Sequence, residues 1–128
     1  MITILIADDN AASLELLSDA LGSLGHRIVE ASDGHDALRK VKIERPDIAL
    51  IDIQMPGLDG FEVLRAIRAL EPPVPCRVLA LTAFAMGGDR ERILASGFDG
   101  YIAKPVSILH VREQVRQMLN SASKSAQS

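Results

Sequence analysis

The chain has 128 residues, of which 48% are hydrophobic and 24% charged, with a net charge of -3. That length suits one domain able to bury its own core, and the acidic balance excludes a broad basic field for nucleic-acid phosphates. Aromatics make up 3% with no Trp, so base stacking is excluded too, and a single Cys rules out an internal disulfide or a cysteine zinc cluster.

Five short apolar runs, at residues 2–7, 27–31, 47–52, 77–82 and 100–103, lack clean polar alternation. Strands buried on both faces of a parallel sheet read this way. Between them lie helical spacings. Leu14, Leu17, Leu21 and Leu24 step by three and four, with Gly25 ending that helix. Asp33 can cap a second helix carrying Ala37, Leu38 and Val41, which stops before Pro46. Asp59 can cap a third, with Val63, Leu64 and Ile67 inward and Pro72-Pro73 beyond its end. A fourth, around residues 86–96, is weakened by Gly87 and Gly88. Ser107 can cap the last, with Val111, Val115 and Met118 on one side. Residues 121–128 are Ser/Ala-rich and are expected to form a flexible tail behind a domain spanning 1–120. The first run is too short for a signal peptide and no stretch approaches a membrane span, so a cytoplasmic protein without membrane contact is expected.

Strand–helix alternation with right-handed crossovers gives an α/β fold with a doubly wound parallel sheet and helices on both faces. Reactive sites in such folds lie beyond the carboxyl ends of the strands. There the sequence places Asp8-Asp9, Asp52, Thr82 and Lys104-Pro105. Three carboxylates at one edge repel by about 4 kcal/mol per pair at roughly 4 Å and an effective dielectric near 20. A hard divalent cation, Mg²⁺ above all, together with Lys104 would offset this.

The run Asp52-Ile53-Gln54-Met55-Pro56-Gly57-Leu58-Asp59-Gly60 resembles the phosphoacceptor loop of bacterial response-regulator receiver domains. The acidic pair, Leu81-Thr82-Ala83 and Tyr101-Ile102-Ala103-Lys104-Pro105 fall where that family has them, so the resemblance spans residues 2 to 119. It implies a flavodoxin-like five-stranded sheet in the order 2-1-3-4-5. It also implies that Asp52 attacks the phosphorus of a phosphohistidine and becomes an acyl phosphate. Asp9 would bind Mg²⁺ directly, Asp8 through water, and Asp52 and the Gln54 backbone carbonyl would add oxygens. Lys104 would neutralise the transferring oxygens, and Thr82 would then donate to the new phosphate while Tyr101 rotates inward. Lys104-Pro105 is a candidate cis bond.

Each residue also has a plainer reading. Alone, Asp52 would be a turn residue, Asp8-Asp9 the acidic start of a helix, Thr82 ordinary strand composition and Lys104 a solvated charge; four motifs in order outweigh these. Asp59 is read as a helix cap, and Gly57 and Gly60 as backbone devices in a tight loop. His26, His35 and His110 are read as surface residues, Cys76 as an inert thiol, and Asp89-Arg90-Glu91-Arg92 as a solvated helix face. Phe84 and Phe98 are expected in the core, and Phe84 with Gln54 is expected to prolong the phosphoryl lifetime.

The segment Thr82-Ala83-Phe84-Ala85-Met86 with Gly88-Asp89 is similar to single-domain regulators of the cell-division type and to hybrid-kinase receivers. The expected protein is therefore a signalling receiver rather than an enzyme with a separate substrate. Its expected partners are a histidine kinase or histidine phosphotransfer protein and a downstream protein met by the α4-β5-α5 surface. It would be a monomer or a phosphorylation-dependent dimer. No direct nucleic-acid contact is expected, since no DNA-binding domain follows residue 120. Met1 directly before the first run favours a stand-alone receiver over the module of a hybrid histidine kinase. A Mg²⁺-dependent aspartyl-phosphate phosphatase would want an acid where Gln54 stands, and a flavin or nucleotide module would want a Gly/Ser/Thr-rich loop in place of Asp8-Asp9-Asn10.

Overall fold

In a computed structural model, which describes residues 2–83 and 88–127, ten elements alternate along the chain. They are β1 (Thr3–Ala7), α1 (Ala11–Gly22), β2 (Arg27–Ala31), α2 (Gly34–Glu44) and β3 (Ile48–Asp52), then α3 (Gly60–Arg68), β4 (Arg77–Thr82), α4 (Gly88–Ala95), β5 (Gly100–Ala103) and α5 (Ile108–Gln127). The strands form one parallel sheet in the order β2-β1-β3-β4-β5, as expected.

The five apolar runs become these strands because their side chains are needed on both faces. Successive residues point to opposite sides. Leu5, Ala7, Ala49, Ile51, Val78 and Ala80 build one core with Ala37 and Val41 of α2, Val63, Leu64 and Ile67 of α3, and Ile93 of α4. Ile4, Ile6, Ile48, Leu50, Leu79 and Leu81 build the other with Leu17 and Leu21 of α1 and Val111 and Val115 of α5. Two helices thus cover one face and three the other. Phe98 is buried with Phe61 against its edge, ring centroids 5.8 Å apart.

Local signals set most helix ends. The Asp33 carboxylate accepts from the Asp36 N–H at 2.7 Å, and α2 closes at Arg45, whose φ of 46° precedes Pro46. Asp59 and Glu62 form a reciprocal capping box at α3. Ser107 stands before α5 with its Oγ 3.5 Å from the His110 nitrogen, so its carbonyl, at 2.9 Å from the Val111 N–H, does more to start that helix.

α1 stops at Gly22, so Leu24 is left 49% exposed in the following turn, where Gly25 takes a φ of 91°. α4 is described over Gly88–Ala95, and its expected start near Met86, like Phe84 and the lifetime role assigned to it, lies outside the described residues. α5 keeps a helical backbone through Gln127 where a tail was expected. Ala, Lys and Gln are good helix formers, and a helix already nucleated by packed Val111 and Val115 needs little more to propagate.

Candidate functional site

β1 and β3 are neighbours whose crossovers leave to opposite faces, so the residues after them meet at the point where strand order reverses. The register puts Asp52 at the end of β3 opposite Leu81, and Thr82 opposite Ala103. Lys104 follows at once, its N–H donating to the Thr82 carbonyl at 2.7 Å, and its bond to Pro105 is cis. Asp8, Asp52 and Thr82 are the buried polar side chains among the described residues, and all three stand at this one edge.

Lys104 Nζ lies 2.7 Å from Asp52 Oδ2 and 3.0 Å from Asp8 Oδ2. The other oxygens are held by backbone: the Gln54 N–H donates to Asp52 Oδ1 at 3.0 Å, and the Asn10 N–H to Asp8 Oδ1 at 2.9 Å. Asp8 Oδ2, though ion-paired, is a buried oxygen without a hydrogen bond. One ammonium therefore serves two buried acids. Burial pushes the Asp52 carboxyl above the usual range, while the Lys104 and Gln54 hydrogen bonds pull against that rise. Burial would lower the Lys104 ammonium, but the two carboxylates of Asp52 and Asp8 beside it prevail and raise it.

Asp9 is exposed and completes the group: Asp8, Asp9 and Asp52 each offer a carboxylate oxygen within 4.8 Å of the others. An all-oxygen donor set, with a buried Asp8 oxygen that Lys104 meets as an ion pair and not as a hydrogen bond, fits Mg²⁺ or a similar hard cation. Gln54 enters by its backbone N–H and, with Asp9, is among the residues lining the adjoining cleft. Tyr101 is half-buried on β5, against the core covered by α2, α3 and α4.

The loop after Asp52 is compact because α3 starts against the end of β3. A Cβ on Gly60 would stand 2.7 Å from the Asp52 carbonyl oxygen, and Gly57 takes a φ of 79°. Both glycines are the backbone devices their spacing suggested. Asp59 likewise caps α3, although it also lines the cleft. His35 and His110 are exposed and His26 is half-buried; none joins the carboxylates among the described residues. Cys76 is buried, and burial pushes its thiol up, away from reactivity.

Sequence reasoning missed two contacts of α4. Arg90 places its guanidinium 5.4 Å from the centre of the Tyr101 ring, and Arg92 lies 4.7 Å over Phe61. Two residues apart on a helix is about 200° of rotation, so the pair straddles α4 and reaches an aromatic on either side. Both side chains are exposed, as a solvated face requires, yet each has a ring beneath it. Only the i, i+2 spacing hinted at this, and it names no partner.

The family described as the response regulator receiver domain matches residues 4–118. The polar-differentiation response regulator DivK of Brucella anthropi is 34% identical over 120 residues, which cover 94% of this chain and 98% of that protein. Among solved structures, the receiver domain of a sensor histidine kinase from Pseudomonas aeruginosa superposes with a TM-score of 0.84 at 34% identity, covering 93% of this chain and 98% of that one. It holds a magnesium ion in its active-site cleft. The chemotaxis response regulator CheY4 of Vibrio cholerae gives 0.86 at 26% identity, with coverages of 92% and 98%. No described helix is long and apolar enough to cross a membrane. A doubly wound sheet with its charges gathered at the switch point, matched by relatives over nearly the whole chain, places this chain in the response regulator receiver family of two-component signalling.

Proposed function

We propose that Asp52 is the phosphoacceptor of this receiver and that its phosphorylation switches a protein-binding surface. The observation that carries the reading is the bridge of Lys104 across Asp52 and Asp8, beside a third carboxylate within 4.8 Å. An Asp52 oxygen attacks the phosphorus of a phosphohistidine; the new O–P bond forms as the P–N bond breaks, and the imidazole leaves with its electron pair and takes a proton from water. Burial dehydrates the carboxylate, while Lys104 and the Gln54 N–H fix its orientation, so little reorganisation is left for the moment of transfer.

Asp8, Asp9, Asp52 and the Gln54 carbonyl would hold Mg²⁺, and when bound it supplies positive charge against the transferring phosphoryl oxygens. As charge moves from Asp52 onto the phosphoryl group, the compact ammonium of Lys104 can follow it on its flexible stem. Thr82, buried at the end of β4, is the hydroxyl that would donate to the acyl phosphate. Tyr101 would report the change on β5, altering the α4-β5-α5 surface for a downstream protein. The donor would be a histidine kinase or a histidine phosphotransfer protein. Self-phosphorylation and its reversal are the only chemistry assigned. The resemblance to DivK supports a stand-alone regulator over the hybrid-kinase module.

Intact-mass measurement after treatment with phosphoramidate tests this. One Mg²⁺-dependent phosphoryl adduct is expected on the wild type and none on Asp52→Asn. An equal adduct on the variant overturns the assignment.

A further inference from the structure

The cleft beside the carboxylates has a volume of about 520 Å³, and Asp9, Gln54, Asp59, Phe61 and Arg92 are among the residues that line it. Its charges are uneven. Lys104 is committed to Asp52 and Asp8, while Asp9 and Asp59 add two acids to the lining. A donor carrying a phosphoryl dianion therefore meets an acidic rim. Arg92 is the cation on that rim among the described lining residues, and it makes no ion pair with another described residue. Its guanidinium lies 4.7 Å over the Phe61 ring. A flat cation held by its face keeps its N–H edges available, and those edges form the fork that matches phosphoryl oxygens.

We propose that Arg92, held on Phe61 at the mouth of the cleft, captures the phosphoryl dianion of a P–N phosphodonor before transfer and so determines how tightly that donor is held. The inference rests on Asp52 being the acceptor. Arg92 is a positioning residue: it acts on the donor's approach and leaves the bond-making step to Asp52 and Lys104. The Phe61 face matters as much as the charge, because a free arginine would sample many rotamers and could fold back onto Asp9 or Asp59.

The test is a phosphoramidate concentration series on the full chain, read by intact mass, for wild type, Arg92→Met, Arg92→Lys and Phe61→Leu, with Mg²⁺ affinity measured separately by calorimetry. Arg92→Met keeps a long apolar stem on Phe61. It is expected to lower the second-order phosphorylation rate about fivefold, the worth of one exposed charge-assisted contact, and to flatten its dependence on ionic strength. Arg92→Lys should recover about half of the loss, and Phe61→Leu should fall between. Removing a cation near Asp9 should leave Mg²⁺ affinity unchanged or tighten it. An unchanged rate and salt dependence in Arg92→Met, with normal wild-type uptake, overturns the inference alone. A weakened Mg²⁺ site in Arg92→Met also overturns it, since the residue would then be a structural support. Failure of the wild type to take up phosphoryl overturns the Asp52 assignment and this one with it.

Discussion

At the amino edge of the sheet Asp99 is served by three donors or cations, while at the carboxyl edge Asp8 and Asp52 share the ammonium of Lys104 and the exposed Asp9 stands beside them. The Asp99 carboxylate takes the Val78 N–H at 2.8 Å and lies 3.2 Å from Arg68 and 3.7 Å from Arg77. Arg68 also donates to the Cys76 carbonyl at 2.8 Å. The amino edge even has the larger cleft, about 640 Å³ against about 520 Å³. Its acid, however, is satisfied within the fold, so it ties β4, β5 and α3 together and has no capacity left for a ligand. The carboxyl edge carries more negative charge than its own lysine offsets. Imbalance of buried charge, rather than cavity size, separates the edge of the candidate site from the structural one.

Removing Lys104 should break the comparison most sharply. Lys104→Met leaves two buried carboxylates without their cation, and at neutral pH it should cost about 3 kcal/mol of stability, as breaking a buried pair does. Phosphoryl uptake should be lost as well. The stability penalty should shrink as pH falls, because the two acids can then take up protons. Chemical denaturation of variant and wild type across pH measures this, and a pH-independent difference would contradict it.

Asp99→Ala should cost about 1–3 kcal/mol, since it leaves the Val78 N–H and two guanidinium groups without their acceptor. Phosphoramidate uptake should nevertheless stay within twofold of wild type. Loss of uptake in a folded Asp99→Ala protein would show that the amino edge also serves the chemistry.

Asp52→Asn should act in the opposite direction on the metal-free protein. Burial holds the Asp52 carboxyl above its ordinary range. A group raised in the folded state contributes stability below its unfolded value, near 3.8, and loses it as pH rises through the folded value. Neutral Asn escapes that loss, so the variant should melt a few degrees higher at pH 7 with chelator present, and the gap should close as pH falls towards 4. A lower melting temperature at pH 7 would contradict the electrostatic picture. The smallest effect is expected at Asp59. Although it lines the reactive cleft, its Ala variant should cost about 1 kcal/mol through the α3 cap and leave Asp52 able to take up phosphoryl.

Much of this is legible in the chain. The strands announce themselves because sheets buried on both faces leave no room for polar alternation, and Asp33 and Asp59 mark helix starts because a cap needs only its own next turn. The order 2-1-3-4-5 was implied by family resemblance, since nothing local says which strands become neighbours. The acid cluster follows from strand ends falling on one edge, and so does its partner Lys104. Contacts between elements distant in sequence were not legible. The stacking of Arg90 on Tyr101 and of Arg92 on Phe61 depends on where α4 lands, as does the clamp of Arg68 and Arg77 on Asp99.

The most direct test of the account is to locate the phosphoryl bond itself. Borohydride reduces an acyl phosphate to the alcohol, so wild-type protein treated with phosphoramidate and Mg²⁺, then reduced and digested, should carry homoserine at position 52 and nowhere else. Homoserine at position 8 or 9, or none in a protein that has gained a phosphoryl group, would contradict the claim that Asp52 is the acceptor.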